Sequence, residues 1–178
     1  MDANGIATAI VSISTPGVDV GDGREAKAKA REVNEFAARL RHDHPERFGF
    51  FATLTLPDVD GALEEARYAL DELDADGVVL LSNVRGRYLG DPGFRPLFDE
   101  LDRRGTVVFV HPAELPAAPV PGLAPYVVNF LLEIGDLSHR VGRASADHLA
   151  NIRTVVSTLA GEAGVRAELA LRAAFAKS

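Results

Sequence analysis

The side chains that could do chemistry are few. The chain has five histidines and no cysteine, so thiolate metal sites, disulfides and a cysteine nucleophile are excluded, and any metal must rest on imidazoles and carboxylates. His111 closes the apolar run "TVVFVH" and is followed by Pro112, which keeps the residue before it extended. An imidazole held there could bind zinc or manganese through one ring nitrogen while a neighbouring group holds the other. It reads equally as the satisfied last residue of a buried strand. Glu114 could join such a site or simply be solvated. The triplet "HDH" at 42–44 looks like a metal signature, because two histidines two apart on a strand share a face. Here it sits where a helix ends before Pro45, on the side opposite to an expected site, and the spacing predicts a solvated or structural role. His139 and His148 lie nine apart, which is not a helical ligand spacing, and read as surface or partner-facing residues.

In "SNVRGRYLGDPGF", Arg85 and Arg87 with Tyr88 could hold a carboxylate, and Asn83 stands at the start of the same loop. Two exposed arginines on a glycine-rich loop are the competing reading. No GxGxxG, GxxxxGK[ST] or GxSxG occurs, so a dinucleotide fold, a P-loop enzyme and a typical serine hydrolase have no residues to stand on.

These residues need a scaffold. "IATAIVSI" at 6–13 is apolar almost throughout, as a strand covered on both faces is. Residues 24–40 place Ala30, Val33, Phe36, Ala37 and Leu40 at helical spacing between charges. Strands are then predicted at 48–56, 76–82 and 106–111. A helix after Asp58 with that residue as N-cap and another ended by Gly105 separate them. Apolar strands alternating with amphipathic helices argue for β/α units and a parallel sheet. Right-handed β/α repeats point all strands the same way. Their C-terminal ends then share one face, where ligand sites of such folds collect. That face carries Ser14 and Thr15, Thr55 to Pro57, Ser82 and Asn83, and His111 to Glu114. After Glu114 the pattern changes. "LPAAPVPGLAP" is a stiff extended connection, and residues 126–178 read as alanine- and leucine-rich helices with no strand between them. The division drawn is 1–125, a β/α domain, and 126–178, a helical segment.

With 178 residues, 47% hydrophobic, the chain is long enough for one domain with a sizeable core. A formal net charge of −7 without a basic patch argues against a nucleic-acid or anionic-membrane partner. No apolar run approaches the roughly 20 residues of a membrane span, and a cytoplasmic location is expected.

The stretches "RFGFFATL", "GVVLLSN", "YLGDP" and "VVFVHP", within a match running from Met1 to about Leu132, resemble the second amidohydrolase family. That family includes aminocarboxymuconate-semialdehyde, resorcylate and dihydroxybenzoate decarboxylases. The resemblance implies a (β/α)8 TIM barrel with a divalent metal, zinc or manganese, at its C-terminal face. It implies metal-dependent decarboxylation or hydrolysis of small aromatic or related carboxylates, with His111 as the metal histidine ending the fifth strand. Asn83 and Arg85, on the loop after the third strand, are the expected substrate-binding residues. The family's first strand, with its HxH or ExH pair, is expected before Met1. Its second metal histidine and late aspartate are not found after Pro125.

The fold expected is therefore α/β: a partial barrel of about four parallel strands, barrel strands two to five, with a helical C-terminal tail. A truncated chain, weakly active or inactive alone, follows from the missing ligands. The alternative is a noncatalytic interaction module or self-associating fragment, including a possible homo-oligomer, because half a barrel leaves sheet edges open.

Overall fold

A computed structural model describes residues 1–19, 21–113 and the backbone of 153–156. A single 3-10 turn, Asp2–Asn4, is closed by Gly5 in the left-handed region (φ 66°), whose N–H donates to the Asp2 carbonyl. The chain then runs through β1 (Ala9–Val11), α1 (Gly23–Asp43), β2 (Phe48–Thr53), α2 (Val59–Asp71) and β3 (Gly77–Leu81). A small hairpin, β4 (Asn83–Val84) and β5 (Arg87–Tyr88), precedes α3 (Arg95–Arg104), β6 (Val107–His111) and β7 (Arg153–Val156). The main sheet has the order β1-β2-β3-β6-β7, every pair parallel.

The helix ends follow the sequence signals. Asp22 accepts from the N–H groups of Arg24 and Glu25, and Asp58 from that of Gly61, so each carboxylate satisfies donors the first helical turn leaves open. Gly105 ends α3 at φ 63°.

All three helices lie on one face of the sheet, as in a closed barrel and unlike a doubly wound sheet. Phe50, Ala52, Val78, Leu80, Val108 and Val110 point to that face and pack against Ala62, Ala66 and Ala69 of α2 and Leu97 and Leu101 of α3. Ala37 and Ala38 of α1 join the same cluster. The alternate residues point to the other, concave face, where Phe51 stacks on Phe109 at 5.5 Å between centroids.

Four differences from the expected elements have physical reasons. The first strand is three residues rather than eight, and it is an edge: Ile6 and Ile10 are 43% and 47% exposed, not covered on both faces. The buried stripe of α1 runs through Ala26, Ala30 and Asn34, and Phe36, expected inside it, is 62% exposed. The second strand stops at Thr53, because Asn34 of α1 takes over that residue's backbone. The Thr53 N–H donates to Asn34 Oδ1, and Asn34 Nδ2 donates to the Thr53 carbonyl, both at 2.9 Å. Finally, Arg153–Val156 pairs with β6 (Val107↔Arg153 to Val110↔Val156), where helix was expected. Thr154, Val155 and Val156 are β-branched, and the β6 edge offers unpaired backbone groups for them to satisfy. The rest of the expected tail, the division at residue 125, and His139 and His148 lie outside the described residues.

Candidate functional site

The C-terminal ends of β2, β3 and β6 open on one side of the sheet, and the loops after β1 and β3 rise around them. Leu81 and His111 are register partners, so their side chains share the concave face one strand spacing apart, about 4.8 Å. The junction is fastened by backbone. The Ser82 N–H donates to the His111 carbonyl at 2.9 Å, and the Ala113 N–H donates to Ser82 Oγ at 2.9 Å. Ser82 is fully buried, which explains a polar residue at the end of an apolar strand: its hydroxyl accepts from backbone that has run past the ladder.

His111 is half-buried, packed edge-on against Phe109 with centroids 6.4 Å apart. Its Nδ1 lies 2.6 Å from the Pro112 carbonyl oxygen. A carbonyl only accepts, so Nδ1 is the donor in this contact, the kind of second contact that orients a metal-binding histidine. The wider donor set does not complete a metal centre. Among the described residues no group of three or more histidine, aspartate or glutamate side chains is placed to hold an ion. Three protein ligands are the usual minimum for a catalytic zinc, so the described residues supply at most part of a metal site. Glu114 lies outside the described residues.

Asn83 is buried and begins the β4–β5 hairpin, paired with Tyr88. The two turn residues, Arg85 and Gly86, have φ of 51° and 75°. Positive φ at both positions suits a two-residue primed turn that follows strand twist. The turn carries Arg85 outward at the rim. There its guanidinium meets Asp19, on the loop after β1, with Nε and Nη2 donating to the carboxylate at 2.6 and 2.7 Å. Arg87, considered with Arg85 as a carboxylate grip, is committed elsewhere. It donates twice to Asp91, at 3.1 and 3.0 Å, and lies over the ring of the buried Phe94 at 4.4 Å. Asp91 also accepts from the Gly93 N–H, and Arg87 followed by that N–H holds its carboxyl below the usual aspartate value. "YLGDP" is therefore a self-fastened corner that fixes the hairpin bearing Asn83 and Arg85. Tyr88 belongs to the strand that pairs with Asn83.

Between the loops after β1 and β3 lies a cavity of about 30 Å³, walled mainly by Ile13, Val18, Leu54, Leu56, Leu81 and Val84. It exists because Asn34, not a longer β1, partners Thr53, so the two strands diverge at their C-terminal ends. Gly17 closes its roof at φ 75°, and a Cβ there would sit 3.0 Å from Leu81 Cδ1.

Asn34 also donates to Glu65, which is 4% exposed and receives Arg31 Nε at 2.9 Å. Asp19, Gly17 and Asn34 escaped the sequence reading. Only Asn34 had a signal, a polar residue four after Ala30 on the buried stripe of α1. The "HDH" triplet lies where expected, at the N-terminal side of β2, with the His42 side chain 88% exposed.

Comparison with known proteins fits this geometry. The amidohydrolase family profile matches residues 2–168, beyond the Leu132 limit of the sequence resemblance. The decarboxylase yanB of Aspergillus niger is 45% identical over 124 residues, 66% of this chain and 33% of that protein. The 6-methylsalicylic acid decarboxylase of Penicillium expansum is 39% identical over 150 residues, 81% of this chain and 44% of that protein. The 5-carboxyvanillate decarboxylase of Novosphingobium aromaticivorans, solved with manganese and 4-hydroxy-3-methoxy-5-nitrobenzoic acid, superposes with a TM-score of 0.69 at 26% identity. That superposition covers 88% of this chain and 46% of the other. The chain thus spans from a third to about half of the length of these relatives. Parallel strands with helices on one face, a strand-end histidine on the concave side, and a family profile over nearly the whole chain lead to one conclusion: the protein belongs to the amidohydrolase family.

Proposed function

We propose that this chain carries part of the active site of a metal-dependent, nonoxidative decarboxylase of small aromatic carboxylates. Three residues supply its share. His111 is one ligand of a divalent metal, manganese or zinc, which when bound would orient and polarise substrate oxygens. Arg85 is the carboxylate-recognising cation at the rim: Asp19 holds its Nε and Nη2, and Nη1 is the side that would meet the substrate carboxylate. Asn83, at the base of the same hairpin, orients the substrate by hydrogen bonding. The observation that carries the reading is the position of His111 at the end of its strand on the concave face, with Nδ1 donating to the Pro112 carbonyl.

The reaction expected breaks the bond between ring and carboxylate, releases carbon dioxide and puts a proton on the ring carbon. The test is to incubate the purified chain with 6-methylsalicylate or 2,6-dihydroxybenzoate, with and without manganese, and assay carbon dioxide and the decarboxylated phenol. Manganese affinity is measured in parallel for the parent and His111→Ala. Manganese binding that disappears in His111→Ala supports the ligand role. Equal affinity in both proteins removes it. Turnover by the chain alone would overturn the expectation that it is weakly active or inactive by itself.

A second reading, a noncatalytic or self-associating module, is favoured by one observation: Ile10 is exposed on the edge strand β1, with Ile6 exposed just before it. A dimer in light scattering that dissociates on Ile10→Lys would support it, and a monomer at all concentrations would not. Among the described residues no helix is long and apolar enough to cross a membrane.

A further inference from the structure

The cavity between the loops after β1 and β3 is not used by the metal or carboxylate roles assigned above. Its walls are largely apolar, with Asp19 and Thr53 the polar residues among them, and a space of about 30 Å³ corresponds to about two or three water-sized spheres, room for a group of about that many heavy atoms. Against the apolar walls, a site of this size gains by taking an alkyl or alkoxy group. Its position is equally restrictive. Leu81 forms one wall and is the register partner of His111 on the concave face, so the cavity lies one strand away from the ligand position. Val84, which also lines it, immediately precedes Arg85, whose guanidinium is held by Asp19, another of its lining residues. A ring whose polar groups face His111 and Arg85 therefore presents an edge to the cavity.

We propose that this cavity is a specificity pocket that takes a small apolar ring substituent, methyl- or methoxy-sized, of the aromatic carboxylate. Val84 and Leu81 set the size it admits, and Gly17 keeps it open by leaving Leu81 in place. This rests on the reading of the site as one for aromatic carboxylates, and it adds which member of that class is preferred. One substituent carbon in an apolar pocket is worth about tenfold in discrimination.

Calorimetric titration of the chain with salicylate and 6-methylsalicylate tests it without requiring turnover. The methylated acid is expected to bind about tenfold more tightly. Val84→Leu, which adds a carbon to the wall, brings the ratio of the two affinities to about one. Leu81→Ala enlarges the space and shifts the preference toward 2-ethyl-6-hydroxybenzoate. The ratio is the readout, so a general loss of folding, which lowers both affinities together, does not imitate the result. If the parent binds both acids equally, or the ratio survives Val84→Leu and Leu81→Ala alike, the pocket assignment is overturned while aromatic-carboxylate binding stands. If the parent binds neither acid, the carboxylate reading fails and the pocket falls with it.

Discussion

The two faces of the sheet differ in what their residues are for. On the helix side, Phe50, Val78 and Val108 are at most 1% exposed and interdigitate with α2 and α3. On the concave side the neighbouring residues of the same strands, Phe51, Phe109 and His111, are only half-buried, and their ring contacts are with one another. Alternation along a strand sends each residue to one environment or the other. Stability is therefore concentrated on one face and the proposed site lies on the other, although the residues are adjacent in sequence. The same split runs from end to end: the N-terminal side holds ion-paired helix ends, and the C-terminal side holds the histidine, the hairpin and the cavity.

Mutations can break or sharpen that contrast. The largest effect is expected at Phe50, fully buried on the helix side, where Phe50→Ala costs about 3 to 5 kcal/mol in urea unfolding. Phe109→Ala, on the concave side, costs about 1 to 2 kcal/mol because less surface leaves water there. Equal losses at the two positions would show that the concave face is as tightly packed as the core.

Next comes Asn34→Ala. It leaves the Thr53 N–H and carbonyl without their partner and removes one donor from buried Glu65, at a cost of about 2 to 3 kcal/mol. Because the strand end it holds borders the cavity, substituent discrimination should fall as well. Intact discrimination would separate the two roles.

The ion-paired end of α3 supplies a pH effect. Arg103 and Arg104 hydrogen-bond Glu100 and hold its carboxyl at about 2, against an ordinary value of 4.5. A depressed folded-state value means the contribution is complete above about pH 4.5 and is lost as pH falls toward 2. Melting temperature followed from pH 5 to pH 2 should fall less steeply in Glu100→Gln than in the parent. Parallel curves would remove Glu100 from the account.

The smallest stability change belongs to the rim. Arg85 is 60% exposed, so Arg85→Ala should shift stability by no more than about 0.5 kcal/mol while weakening aromatic-carboxylate binding about tenfold. A variant that lost stability but kept affinity would reverse the assignment of the two faces.

Much of this was legible beforehand, for identifiable reasons. Asp58 and Gly105 announce helix ends through local hydrogen bonding and backbone freedom, and both act where expected. The runs ending at Leu81 and His111 are apolar enough to specify covered strands and to bring two ends to one face. Phe36 was misplaced because periodicity marks a helical stripe without saying how much of it a neighbour covers. The strand at Arg153–Val156 was missed because four residues in an alanine-rich stretch are outweighed locally by helix propensity, and the β6 edge that recruits them is more than 40 residues away.

By itself, then, the sequence determined the β/α alternation, the parallel direction of its strands and the family, because those depend on local propensity and on motifs contiguous in the chain. Only the tertiary structure decided that Asn34 replaces a strand at Thr53, that Asp19 holds Arg85 across 66 residues, that Arg87 is held by Asp91, and that a cavity opens beside Leu81. Most of those contacts join elements far apart in sequence, and side-chain partners at such separations are chosen by the packing of helices on the sheet, which no local pattern records.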